Sequence, residues 1–232
     1  MITAYPAMVF AAGRGTRMGT LTQDLPKPMI RVAGRPLIDH ALTPLIEAGV
    51  RRIVVNTHYL PDPLEAHLAQ ERRVQITLSR ETELLDTGGG LRHALPLLGH
   101  SPVWTINSDI AWAGPNPLQI LDTPPPQGGA ELLLVAKDRA IGDPGPGDFF
   151  RGKDGHLKRR GDAAEAPFVY TGLQLIDTAP LVHFSQTVFS LNAVWDLMLS
   201  QGVLRGKVYP GQWCNVGQPQ SLPLADAMVG NV

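Results

Sequence analysis

The chain has 232 residues, a formal net charge of −1, 44% hydrophobic residues and 18% charged ones. That is ordinary for a water-soluble globule and long enough for one α/β domain with a sizeable core. The near-neutral charge excludes a general nucleic-acid or membrane-surface binder, and the single cysteine, Cys214, excludes an internal disulfide or an all-cysteine zinc site. The N-terminus lacks the basic start of a secretory signal, and no run reaches the roughly 18 apolar residues of a spanning helix. A cytoplasmic location is expected, as a monomer or small homo-oligomer.

In chain order, Ala7 to Ala12 is an apolar run that reads as a buried parallel strand. Gly13 to Arg35 follows as a long irregular segment, because Pro26, Pro28 and Pro36 with Gly19 and Gly34 prevent a long helix. A loop of that length inside a compact domain is usually functional or disordered, and its basic residues favour function. A helix is expected over Leu37–Ala48, started by Pro36 and stopped by Gly49. Strands are expected at Arg52–Asn56, Val74–Leu78 and Val103–Asn107. Helices are expected at Pro63–Gln70 and Thr87–Leu98. This alternation predicts an α/β fold with a doubly wound, mostly parallel, Rossmann-like sheet. Sites in such sheets lie at the carboxyl ends of the strands, where the Gly13 loop, Asn56-Thr57-His58 and Asp109 all fall.

After Pro124-Pro125-Pro126 the texture changes, and a small β-rich lobe on the same sheet is expected from there. Leu132–Ala136 and Phe168–Ile176 read as strands, with a hairpin around Lys153-Asp154-Gly155. Leu191–Ser200 reads as an amphipathic helix. Val203–Tyr209 and Gln212–Val216 read as short strands, and Gln218–Val229 as a closing helix.

The stretch Val9-Phe10-Ala11-Ala12-Gly13-Arg14-Gly15-Thr16-Arg17-Met18, continued by Pro26-Lys27-Pro28, carries the chemistry. Glycines let backbone N–H groups turn inward around an anion, and arginines supply forked, permanently charged donors for phosphate oxygens. A dinucleotide fingerprint would need a helix directly after the loop, which the prolines block, and an acidic end to the second strand, where Asn56-Thr57 stands. No Gly-Lys-Ser/Thr closes a P-loop. A turn that merely needs glycine, with its arginines in water, is the remaining structural alternative.

At these residues the chain resembles the sugar-1-phosphate nucleotidylyltransferases. The Ala11–Met18 piece and Pro26-Lys27-Pro28 stand in that family's order and spacing. The resemblance continues through Gly88-Gly89, Asp109, Tyr170-Thr171-Gly172 and Trp213-Cys214-Asn215-Val216-Gly217, so it covers nearly the whole chain. It implies a reaction of a nucleoside triphosphate with a sugar 1-phosphate, giving a nucleotide sugar and pyrophosphate. Residues 1–123 would form the nucleotide-binding part and 124–232 the sugar-binding part of a single domain. Two anions must meet, so catalysis is mainly positioning and charge stabilisation. The resemblance implies that Ala11, Ala12, Gly13, Gly15, Thr16 and Arg17 hold the triphosphate, with Arg17 on the leaving β- and γ-phosphates. Lys27 would reach the α-phosphate and the incoming phosphate, and Asp109 would bind Mg²⁺. As a structural alternative, Asp109 is a surface loop aspartate.

Glu81, Asp86, Thr87, Gly88 and Gly89 are expected to read the base by this resemblance, with Asp86 or Thr87 serving as a helix cap as the alternative. Leu85-Asp86-Thr87-Gly88-Gly89-Gly90 is similar to the stretch of N-acetylmuramate-1-phosphate uridylyltransferases of bacterial cell-wall recycling, and Gly147-Asp148-Phe149 looks like the same branch. UTP and N-acetylmuramate 1-phosphate are therefore the expected substrates. Mannose-1-phosphate guanylyltransferases, more often with Gly-Thr-Ala-Gly, are the runner-up. Asn107, Asp148, Thr171 and Gly172 are the sugar-side candidates, with Trp213 near the metal end. For each the alternative is a turn, strand or packing role. His58, His93 and His100 have no metal-ligand spacing, and Cys214 reads as a small buried side chain.

The pattern breaks at Asn215, where the family usually carries a second metal-binding aspartate, and at Ser108, where it usually has glycine. An amide still offers a carbonyl oxygen but no charge, so weaker Mg²⁺ binding is expected. The loss keeps open a binding or regulatory protein without turnover, against which Arg17, Lys27 and Asp109 count. Too few residues follow the closing helix for the repeat-built acyltransferase domain of bifunctional relatives, so one activity is expected.

Overall fold

The structure is a computed structural model that describes residues 5–99, 102–142 and 145–230. His100 lies outside the described residues. The first strand, β1 (Ala7–Phe10), is followed by short 3₁₀ turns within 16–22 and 27–29 and by a two-stranded ribbon, β2 (Arg31–Val32) and β3 (Arg35–Pro36). Then come α1 (Leu37–Glu47), β4 (Arg52–Thr57), α2 (Pro61–Leu68), β5 (Gln75–Arg80), α3 (Asp86–Leu98), β6 (Val103–Asn107) and β7 (Ile110–Ala113). The later part holds β8 (Ala130–Ala136), β9 (Ala140–Ile141), β10 (Phe149–Arg151), β11 (Leu157–Arg159) and β12 (Phe168–Ile176). It closes with α4 (Leu191–Ser200), β13 (Leu204–Tyr209), β14 (Gln212–Asn215) and α5 (Ser221–Gly230).

The main sheet runs β11-β10-β12-β6-β1-β4-β5, with β8 on the other edge of β12 and β13 beside β8. The four strands β6, β1, β4 and β5 are mutually parallel. Strand β12 runs antiparallel to both β6 and β8, so it joins the strands before and after residue 124 into one sheet. Side chains alternate along β1. Ala7 and Val9 pack with Ile38 and Leu45 of α1 and Leu64 of α2, while Met8 faces Leu91 and Ala94 of α3 and Val194 and Met198 of α4. Helices thus cover both faces, as a parallel sheet buried on both sides requires. The hairpin β10–β11 forms around Lys153-Asp154-Gly155.

Besides the β2–β3 ribbon and the short β9, two features depart from the sequence-based expectation. Strand β7 was not expected. It pairs with β14, which also pairs with β9, in a separate three-stranded sheet. Its pairing is non-local, and four residues carry too little periodicity to announce it. The last helix also starts at Ser221, three residues later than expected. Around the small sheet lies a third core of Met18, Ile30, Val32, Ala111, Cys214, Val216, Ala225 and Met228. Met18 is only 1% exposed, so it anchors the glycine loop to the body of the protein. Cys214 is fully buried, and burial pushes its thiol up to about 11, consistent with an inert packing role.

Candidate active site

The carboxyl ends of β1, β4, β5 and β6 open into a cavity of about 560 Å³. Ala11, Ala12, Gly13, Gly15, Thr16, Arg17, Lys27, Glu81, Asp86, Asn107 and Asp109 all line it, so the structure brings most of the sequence-derived candidates together. Arg14 is exposed and is not part of the wall.

The loop is held open by specific contacts. Gly15 has φ +64°, and a Cβ there would meet the Lys27 Cβ at 2.9 Å. Only glycine suits that position, because it needs both the left-handed conformation and the close approach. A side chain at Gly13 would meet no protein atom within 4 Å, so its absence leaves open space in the cavity. The Thr22 hydroxyl donates to the Gly15 carbonyl at 3.1 Å, and the Tyr59 hydroxyl donates to the Thr22 carbonyl at 3.0 Å. Neither residue was singled out from sequence, since both act only through contacts made after folding.

Lys27 is 8% exposed and sits in the 3₁₀ turn between Pro26 and Pro28. Its ammonium donates to Asp109 Oδ2 at 2.5 Å. Asp109 stands between β6 and β7, and its carbonyl accepts the Val216 N–H at 2.8 Å. The register Ile110↔Asn215 places Asn215 beside it. Gly217 lies between Asn215 and Arg17: a Cβ on it would stand 3.4 Å from Asn215 Nδ2 and 3.5 Å from Arg17 Nη1. Residues 82 to 200 positions apart thus converge on one corner, where β7 and β14 pair. Among the described residues there is no group of three or more His, Cys, Asp or Glu able to hold a metal by itself. The oxygen donors at this corner, one carboxylate and one amide, match a hard cation that takes its other ligands from phosphates and water.

Asn56 and Glu81 form a buried relay beneath the loop. Asn56 Oδ1 accepts the Ala11 N–H at 2.7 Å, and Asn56 Nδ2 donates to Glu81 Oε1 at 2.7 Å. Glu81 Oε2 accepts the Leu85 N–H at 3.1 Å. One pair of side chains therefore ties together the ends of β1, β4 and β5 and the start of α3. A polar residue ending an apolar strand was the available signal for Asn56.

The glycine run is explained by packing. A Cβ on Gly88 would strike the Phe189 ring at 2.5 Å, one on Gly89 would overlap the Thr187 carbonyl, and one on Gly90 would meet Glu81 Oε1 at 2.8 Å. The N–H groups of Gly88 and Gly89 both donate to the Phe189 carbonyl, at 2.9 and 3.0 Å. They are satisfied within the protein, and Gly88 is not in the cavity wall. These two N–H groups are capped by the Phe189 carbonyl, in a segment about one hundred positions later, and not by the Asp86 or Thr87 side chain of the alternative reading. Arg92 fastens the segment by donating to the Phe184 and Gln186 carbonyls, with its guanidinium over the Phe189 ring. The Thr87 hydroxyl instead accepts the Leu191 N–H at 3.0 Å. Asp86 has φ +61°, uncommon for a residue other than glycine, and its carboxylate accepts the Thr87 N–H.

A second cavity of about 360 Å³ adjoins the first and shares Phe10, Asp86, Thr87 and Asn107 with it. Asp148 opens on it and accepts the Tyr170 N–H at 2.8 Å. The carboxylate is open to the cavity yet densely surrounded, and that desolvation, partly offset by Arg159 and Arg160, raises its pKa. Asn107 lies over Gly172, whose φ of +86° and missing Cβ make room for it at the bulge in β12. Thr171 is fully buried, and its hydroxyl donates to the Leu133 carbonyl at 2.8 Å. Trp213 donates its indole N–H to the Thr171 carbonyl at 2.8 Å and does not line either cavity. Thr171, Gly172 and Trp213 therefore shape the wall from behind. His58 bonds the Glu81 carbonyl through Nδ1 at 3.0 Å, a structural contact.

Residues 6–133 match the nucleotidyl transferase family. The chain is 40% identical to the N-acetylmuramate alpha-1-phosphate uridylyltransferase of Caulobacter vibrioides over 231 residues, covering 95% of both chains. It is 28% identical to the mannose-1-phosphate guanyltransferase of Hypocrea jecorina over 92% of this chain, and it spans 61% of that relative's length. The fold matches the inositol-1-phosphate CTP transferase of T. maritima with a TM-score of 0.82 at 17% identity, over 98% and 96% of the two chains. With its cationic loop, Lys27 and Asp109 facing one cavity, the chain belongs to the sugar-1-phosphate nucleotidylyltransferase family and is an enzyme rather than a module that only binds.

Proposed function

We propose that the enzyme transfers a uridylyl group from UTP to N-acetylmuramate 1-phosphate and releases pyrophosphate. The observation that carries this choice of base and sugar is the 40% identity, running nearly end to end, to a relative with that activity in its name. The adjoining cavities support it, since two substrates must meet with their phosphates between them.

An oxygen of the sugar phosphate attacks the α-phosphorus, forming one P–O bond. The bond to the β-phosphate bridging oxygen breaks, and the electron pair leaves with pyrophosphate. The Gly13–Thr16 backbone and Arg17 hold the leaving β- and γ-phosphates. Lys27, stiffened by Pro26 and Pro28 and oriented by Asp109, screens the α-phosphate against the incoming one. Asp109, with the Asn215 amide oxygen beside it, would hold Mg²⁺, which supplies charge neutralisation to the phosphates when bound. Asp86 and Asn107, which line both cavities, would read ribose and sugar hydroxyls.

Pyrophosphate release tests this, with five nucleoside triphosphates screened against a panel of sugar 1-phosphates. UTP with N-acetylmuramate 1-phosphate is expected to give the highest kcat/KM, and Arg17→Ala to abolish most of it. Faster release from GTP with mannose 1-phosphate would overturn the assignment in favour of guanylyl transfer.

A further inference from the structure

The second cavity contains one cationic side chain among the described residues, Arg159, and it is built into place rather than left in solvent. Its strand neighbour across the hairpin is Phe149, whose ring lies 5.2 Å below the guanidinium, and the Trp195 ring lies 5.6 Å away. Asp196 Oδ1 accepts from both Nε and Nη2, at 3.0 and 2.8 Å. The Asn192 carbonyl accepts from Nη2 at 3.0 Å, and Asn192 Oδ1 accepts from Nη1 at 2.8 Å. These bonds use the Nε hydrogen, both Nη2 hydrogens and one of the two on Nη1. The second Nη1 hydrogen has no protein acceptor among the described residues. The side chain keeps 31% of its surface exposed, so a ligand in the cavity can reach it.

The first backbone N–H groups of α4 are spent. At the start of α4, the Leu191 N–H goes to Thr87, the Asn192 N–H to the Ser190 hydroxyl and the Ala193 N–H to the Ser190 carbonyl. Arg160 donates to the Gly147 and Ala163 carbonyls and does not line the cavity. An anionic group on a sugar bound here finds one available cation.

N-acetylmuramate differs from N-acetylglucosamine by a lactyl ether whose carboxylate is the sugar's only charge. We infer that Arg159 binds that carboxylate through Nη1 and so selects the lactyl-bearing sugar 1-phosphate over its lactyl-free counterpart. This rests on the sugar assignment above. The flat guanidinium, held by Asn192 and Asp196 and stacked on Phe149 and Trp195, is preoriented, so little rotamer freedom is lost on binding. Arg159 is a binding residue remote from the reacting phosphates, so its effect falls on KM more than on kcat.

The test measures kcat/KM with UTP for three acceptors: N-acetylmuramate 1-phosphate, its lactyl methyl ester, and N-acetylglucosamine 1-phosphate. It uses the wild type, Arg159→Met and Arg159→Lys. The wild type is expected to prefer the acid over the ester and over the lactyl-free sugar. In Arg159→Met that preference shrinks about 10- to 100-fold, the worth of one hydrogen bond to a charged group, mostly through KM. Arg159→Lys keeps part of it, because charge remains but the fork is lost. It also covers the case in which the methionine variant folds poorly. A purely structural role would lower all three acceptors together and leave the ratios alone. Unchanged ratios in a folded variant, with the wild type still preferring the acid, would overturn the role of Arg159 only. A wild type that prefers the lactyl-free sugar would overturn the sugar assignment and this inference with it.

Discussion

Replacing Asn56 with alanine tests whether the phosphate loop is held from beneath. Asn56 is 4% exposed and Glu81 6%. The change removes two bonds of 2.7 Å, one accepted from the Ala11 N–H and one donated to Glu81. It leaves a buried N–H and a carboxylate oxygen without their partners. At about 1–3 kcal/mol for each of the two unsatisfied groups, the expected loss is roughly 2–6 kcal/mol. For a chain of this size that lowers Tm by about 5–15 °C, readable by differential scanning calorimetry. The Ala11–Gly13 backbone also loses its tether, so kcat/KM in the pyrophosphate assay is expected to drop about 100-fold through misplacement of the triphosphate. Asn56→Asp keeps the acceptor for Ala11 but sets a second carboxyl against Glu81. Its deficit should therefore shrink as pH falls and one of the two carries a proton. If Asn56→Ala melts within about 2 °C of the wild type and keeps kcat/KM within about threefold, the relay does not position the loop, since both limits lie well below the effects expected from bond loss and misplacement.

Other perturbations read other parts of the site. Lys27→Met removes the ammonium that we propose serves both phosphates, and kcat should fall about 100- to 1000-fold, as for loss of one preorganised transition-state donor; retention of full turnover would mean that Lys27 only pairs with Asp109. Asn215→Asp adds a charged oxygen beside Asp109, so Mg²⁺ titrated calorimetrically in the presence of UTP should bind more tightly. An unchanged affinity would remove Asn215 from the metal's ligands. Glu131 is buried, and desolvation raises its pKa above the ordinary glutamate value of 4.5, with Lys207, Arg205 and Arg151 opposing. The folded state therefore binds a proton more readily than the unfolded one, and its penalty is absent below pH 4.5 and grows as pH rises through the raised value. Glu131→Gln should raise Tm more at pH 8 than at pH 4, and an equal change at both would show that the carboxyl carries no folding penalty.

The parallel half of the fold was legible in the residues because buried strands such as Ala7–Phe10 and Arg52–Thr57 are short apolar runs between helix signals. The place of the loop residues in the cavity wall was legible for a related reason. Gly15, Arg17 and the Pro26-Lys27-Pro28 turn act through local backbone conformation and fixed charge, both written in adjacent residues. The glycines at 88–90 were ambiguous because a glycine requirement looks the same whether a ligand or a protein side chain takes the space. Here Phe189, about one hundred positions later, takes it.

By itself the sequence determined the fold class and the place of the glycine loop, the Lys27 turn and Asp109 at the strand ends. Tertiary structure alone decided which distant groups complete them. Strand β7 had to pair with β14 to set Asn215 beside Asp109, Asn56 had to meet Glu81 beneath the loop, and the β10–β11 hairpin had to close on α4 to hold Arg159 in the second cavity. Each of these depends on contacts between segments far apart in the chain. Local propensity and spacing carry no record of such contacts, because they form only when the core has closed.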